Sequence, residues 1–78
     1  MITNFPNLKS LILSENQIKN QTLLSISDSL PNLRKLFLNN NELTAEGLTK
    51  IHKLSNLRIL DLRINKIKNE GLKSLFKL

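Results

Sequence analysis

Apolar residues recur along the chain at intervals that neither a helix nor a plain strand produces. In "LRKLFLNNNEL", residues 33–43, leucines stand at 33, 36, 38 and 43, with an asparagine at 41. The spacing returns in "LKSLILSENQI" from Leu8 and in "LRILDLRINKI" from Leu57, so the three copies start 25 and 24 residues apart. The segments between them also match. "GLTKIHKLSNL" at 47–57 parallels "GLKSLFKL" at 71–78 and, with one extra residue, "TLLSISDSLPNL" at 22–33. Even the joints agree, as "FPNL" at 5–8, "LPNL" at 30–33 and "LSNL" at 54–57.

Each copy predicts the same elements. Leu36 and Leu38 alternate as in a strand, so both face one side and Phe37 the other. Leu33 and Leu43 enter the same interior from the turns on either side. The connecting segment puts Leu48, Ile51 and Leu54 on one face, matched by Leu23, Ile26 and Leu30 and by Leu72, Leu75 and Leu78. Spacing near three leaves α-helix and 3₁₀ helix both open, with about two turns expected. Units of roughly 6–30, 31–54 and 55–78 then fill the chain as a single array.

The polar positions of the pattern are architectural. After the strand the backbone turns while partly buried, which leaves amides and carbonyls without ladder partners. Asparagine offers donors and an acceptor together, so Asn16, Asn41 and Asn65 are read as structural. Asn39 and Asn40 are expected to face outward, free for other work. Gly47 and Gly71 open the helical segments, where close packing or an unusual backbone angle would require them. Pro6 and Pro31 end the preceding segment and impose an extended entry to the strand.

Three in-phase copies of L-x-x-L-x-L-x-x-N-x-L, covering essentially all 78 residues, resemble the leucine-rich repeat family. The resemblance implies an α/β solenoid, a right-handed β-α superhelix with short parallel strands on the concave face and short helices on the convex face. It also implies a protein-interaction module whose outward strand residues bind the partner.

Composition narrows the setting. The chain contains no cysteine, and a secreted protein this small would ordinarily need disulfides, so an intracellular, cytoplasmic location is expected. "MITNFPNLKSLIL" has none of the features of a signal peptide, and no apolar run approaches the roughly 18 residues of a membrane span. The net charge of +6 is uneven, being 0, +2 and +4 in the three units. That gradient fits either an acidic partner or a merely solvated surface.

Candidate chemistry is sparse. His52 is the single histidine, beside Ile51 on the outer helical face, with no second ligand nearby. The six acids are scattered, and Ser25, Ser27 and Ser29 around Asp28 are read as surface. No catalytic residue, metal site or cofactor is assigned, and the chain is expected not to be an enzyme.

Carried over position by position, the outward residues form columns. These are Lys9, Arg34 and Arg58; Ser10, Lys35 and Ile59; Ile12, Phe37 and Asp61; Ser14, Asn39 and Arg63; and Glu15, Asn40 and Ile64. Partner binding is assigned to Ile12, Arg34, Lys35, Phe37, Asn39, Arg58, Ile59, Asp61 and Arg63. Phe37 is the sharpest of them, either a small hot spot or a side chain that Ile12 simply covers. Three strands of about four residues present roughly 200 Å² in projection, against the ~800 Å² per side of a stable interface. The small area and the absence of polar caps at either end lead to the expectation of a piece of a longer array, or of end-to-end self-association. Two alternatives stand beside protein binding: a basic surface for nucleic acid or anionic lipid, and a purely structural segment of a larger protein. Nucleic acid ranks below protein, because the cations are spread over strand face, turn and helix and three phenylalanines make no stacking platform.

Overall fold

The computed structural model describes Phe5 and residues 7–68. Three strands, β1 (Ser10–Ile12), β2 (Lys35–Phe37) and β3 (Ile59–Asp61), form one parallel sheet in the order β1-β2-β3. Each has three residues, one fewer than the leucine spacing suggests, although the hydrogen bonding continues past them. Leu13 N–H donates to the Phe37 carbonyl at 2.9 Å, and Leu38 N–H to that of Asp61 at 2.8 Å.

Parallel neighbours cannot be joined by a tight turn, so β1 and β2 each return through a helical segment. The first return is α1 (Asn20–Ser29), and the second is a pair of 3₁₀ turns, Ala45–Leu48 and Ile51–Lys53. The difference follows from spacing within the sequence. Leu23, Ile26 and Leu30 are three and then four apart, which lays them along one face of an α-helix. Leu48, Ile51 and Leu54 are three apart throughout, the period of a 3₁₀ helix. A 3₁₀ helix rises about 2.0 Å per residue against 1.5 Å for an α-helix, so the segment lacking one residue still spans the gap. The expectation of two similar turns in each unit is therefore corrected: α1 is nearly three turns long. Leu30 precedes Pro31 with φ −124°, outside the helical range, and α1 ends there. The matching segment at Leu72, Leu75 and Leu78, with Gly71, lies outside the described residues.

Between sheet and helices lies a core of ten side chains, nine fully buried and Leu54 only 1% exposed. Leu33, Leu36, Leu38 and Leu43 enter it from the second strand and its turns, and Leu23, Ile26, Leu30, Leu48, Ile51 and Leu54 from the helical side. Leu8, Leu11, Leu13, Ile18, Leu57, Leu60, Leu62 and Ile67 flank it and are only partly covered. The middle unit is sealed because it has a neighbour on each side. Ser27 departs from its sequence reading: it is buried, and its hydroxyl donates to the Leu23 carbonyl at 3.0 Å. Ser27 is one position beyond Ile26 and three before Leu30, so the buried face of α1 is wider than its leucines indicate.

Asn41 and Asn65 tie the units together. The Asn41 side-chain oxygen accepts from Asn16 N–H at 3.0 Å and Ile18 N–H at 2.8 Å. Its Nδ2 donates to the carbonyls of Leu13 at 3.0 Å and Leu38 at 2.9 Å. Asn65 repeats the arrangement one unit on, accepting from Leu43 N–H at 2.9 Å and donating to Leu38 and Leu62. Asn16 is exposed, and its amide donates to the Ser14 carbonyl within its own turn.

Candidate partner-binding face

Parallel pairing places Ser10, Lys35 and Ile59 opposite one another, and likewise Ile12, Phe37 and Asp61. These are the columns read from the leucine spacing. The leucines at 11, 36 and 60 turn inward, so the residues at 10, 12, 35, 37, 59 and 61 turn outward. Just before the strands, Arg34 N–H donates to the Lys9 carbonyl and Arg58 N–H to the Arg34 carbonyl, both at 2.8 Å, which brings Lys9, Arg34 and Arg58 into one row.

The centre of the face is apolar and open. Ile12 is 69% exposed and Ile59 43%, while Phe37 is partly covered. At that exposure Ile12 is not covered by Phe37. Lys9, Arg34 and Arg58 lie along the edge where the strands begin, with Lys35 next to them; all are exposed, and none has an ion-pair partner among the described residues.

Three assigned residues have partners already. The Asp61 carboxylate holds the Arg63 guanidinium through Nη2 at 2.7 Å and Nε at 2.9 Å, and it also accepts the Arg63 backbone N–H at 3.1 Å. Those bonds draw the Asp61 carboxyl below its ordinary range and raise Arg63. Asn39 is likewise engaged, accepting from the Ser14 hydroxyl at 2.6 Å and donating to Asn40 Oδ1 at 3.2 Å. The reading of Asn39 and Asn40 as free is therefore corrected. Their partners include Ser14, 25 residues earlier, and only the stacking of units brings such residues together.

Ile64, which was placed in the last column but not assigned to the site, is 72% exposed at φ 56°. Glu15 and Asn40, its equivalents, have φ 59° and 61°, so each unit turns through a left-handed residue at this point. The sequence signal was present in Asn40, since asparagine tolerates that region far better than a β-branched side chain.

The opposite side carries its own electrostatics. Asp28 on α1 binds Lys50 at 3.2 Å and Lys53 at 2.8 Å, and their hydrogen bonds, Lys53 foremost, lower its carboxyl below the ordinary range. His52 is exposed beside Lys53. A depression of about 400 Å³ lined by Thr44, Ala45, Glu46, Lys66 and Lys68 holds one acid and two cations. Among the described residues, no three of His, Asp and Glu stand together as a metal site. No described helix is long and apolar enough to cross a membrane.

A family model described as leucine rich repeats, in two copies, matches residues 6–50 and again residues 31–75. No curated protein matches the chain.

Proposed function

Because the chain belongs to the leucine-rich repeat family, whose repeats generally serve as protein-interaction modules, we propose that it binds a protein partner through its strand face without catalysing a reaction. In this reading the units continue as a right-handed β-α superhelix with the strands on its concave side. Contact is assigned to Ile12, Arg34, Lys35, Phe37, Arg58 and Ile59, with Asn39, Asp61 and Arg63 as pre-positioned polar groups at the border. The observation that carries it is the apolar centre of Ile12, Phe37 and Ile59, bordered along one edge by exposed cations, on hydrogen-bonded strands. An apolar core with a polar rim is the usual anatomy of an interface, and residues fixed by backbone pairing lose little entropy on binding. No metal or cofactor enters this reading.

The half-covered leucines of the outer strands, Leu11 and Leu60, favour a further contact, stacking of copies end to end. Sedimentation that depends on protein concentration would reveal it.

Photo-crosslinking tests the main reading. A benzophenone amino acid is placed at Phe37 and, separately, at His52, and crosslinks are collected in cells that make the protein. A defined partner captured from position 37 and not from 52, and lost on Ile12→Asp, is the expected result. Equal capture from both positions would remove the strand face from consideration.

A further inference from the structure

Resting on that reading, we propose that the partner of the strand face is an acidic protein segment, whose carboxylates run across the strands along the row Lys9, Arg34 and Arg58. The row is built by the backbone. The Lys9 carbonyl accepts from Arg34 and Lys35 N–H at 2.8 and 3.0 Å, and the Arg34 carbonyl from Arg58 and Ile59 N–H at 2.8 and 3.0 Å. Neighbouring strands lie ~4.8 Å apart, so three cations are held within roughly 10 Å of one another, with Lys35 beside them. Like charges at that spacing repel, and no ion pair among the described residues offsets them.

Five of the six acids are among the described residues. Asp28 is committed to Lys50 and Lys53 on the helical side, and Asp61 to Arg63. Glu15 lies in the turn beyond β1, and Glu42 and Glu46 lie beyond β2 toward the helical return. Among the described residues no acid is left to complement the row, and a partner would supply that charge. A long-range field of this kind steers an anionic partner and sets its register.

Protein is favoured over nucleic acid or an anionic membrane by what adjoins the row. Ile59 follows Arg58 directly, and Ile12 and Phe37 stand two positions beyond Ser10 and Lys35. Such a surface fits a segment that alternates acidic and apolar side chains. Single-stranded nucleic acid would call for several stacking aromatics, and this face has only Phe37.

The test uses the 78-residue chain and a fluorescein-labelled decapeptide of Glu and Asp with two central leucines. Its Gln/Asn counterpart, a duplex DNA dodecamer and phosphatidylserine vesicles are the comparison probes. Arg34→Glu with Arg58→Glu changes the charge as much as Lys19→Glu with Lys66→Glu, whose side chains lie off the strand face. The acidic peptide should bind at least tenfold more tightly than its amide counterpart. The Arg34/Arg58 pair should lose at least tenfold and the Lys19/Lys66 pair less than threefold. Circular dichroism and urea midpoints confirm that both variants fold, and Arg34→Gln with Arg58→Gln replaces the first pair if it does not. Equal losses in the two pairs, no binding of the acidic peptide, or tighter binding of DNA or vesicles through Arg34 and Arg58 would overturn the proposal. If the peptide fails while crosslinking from position 37 persists, only the acidic chemistry falls. If crosslinking also loses its preference for position 37, the strand-face reading falls with it.

Discussion

Asn16 and Asn41 hold the same place in successive units and have very different surroundings. Asn41 serves five backbone groups in two turns, whereas Asn16 is exposed and serves the Ser14 carbonyl of its own turn. Leaving partly buried amides and carbonyls without partners costs ~1–3 kcal/mol. Asn41→Ala should therefore lower stability by about 2–3 kcal/mol in urea titrations, and Asn16→Ala by only about 0.5 kcal/mol. Ile64 presents the opposite case, a residue whose own conformation is unfavourable. A β-branched side chain at φ 56° is strained by roughly 1–2 kcal/mol, and at 72% exposure it has little burial to lose. Ile64→Asn, copying Asn40, should raise the urea midpoint by the equivalent of about 1 kcal/mol. If the midpoint falls instead, the isoleucine has a packing role that outweighs its strain.

Between elements, Gly47 packs closely against Asn20, the first residue of α1. Gly47 does not have a positive φ, so its role is one of space. A Cβ at Gly47 would lie 2.6 Å from Asn20 Oδ1 and 3.3 Å from the Asn20 Cα. Asn20 is not free to swing aside, because its oxygen accepts Thr44 N–H at 2.9 Å and its Nδ2 donates to Thr44 Oγ1 at 2.7 Å. Gly47→Ala should cost about 1–3 kcal/mol, and combining it with Asn20→Ala should cost less than the two single changes summed. Strict additivity in that cycle would mean the two residues do not meet. The strands and columns were legible in the sequence, since inward leucines fix which residues turn out and which stand opposite. The choice between α1 and 3₁₀ was left open by the spacing, and the extra residue between Ile26 and Leu30 accounts for it only once both segments are seen. What escaped was side-chain pairing and burial that the leucine spacing does not encode: the engagement of Asn39 with Ser14 across units, the burial of Ser27, and the hold of Arg63 on Asp61 within one turn. In the candidate site, spacing located the residues and did not tell which were already partnered.

Across the whole molecule, cover is unequal. Leu36 is fully buried between neighbours, while Leu11 and Leu60, at the same position of the outer strands, are only partly covered. The stability of such arrays is close to a sum of unit and nearest-neighbour interface terms. Leu36→Ala touches two interfaces and should cost about 3–5 kcal/mol, and Leu60→Ala roughly half as much. The first change should also broaden the urea transition, as the units on either side lose the contact that couples them. A sharp transition in Leu36→Ala would show that coupling runs through the helical side instead.

The side chains of Asn41 and Asn65 each reach back to the turn before their own, and among the described residues neither reaches forward to the next. A turn is thus finished by residues made about one unit later, 25 positions on for Asn16 with Asn41 and 24 for Asn41 with Asn65. At a translation rate of about 5–20 residues per second, that is a wait of roughly 1–5 s at every unit. During synthesis the newest turn is always the incomplete one. Chaperones and proteases that sample the nascent chain would meet an open turn just outside the ribosome and a closed one behind it.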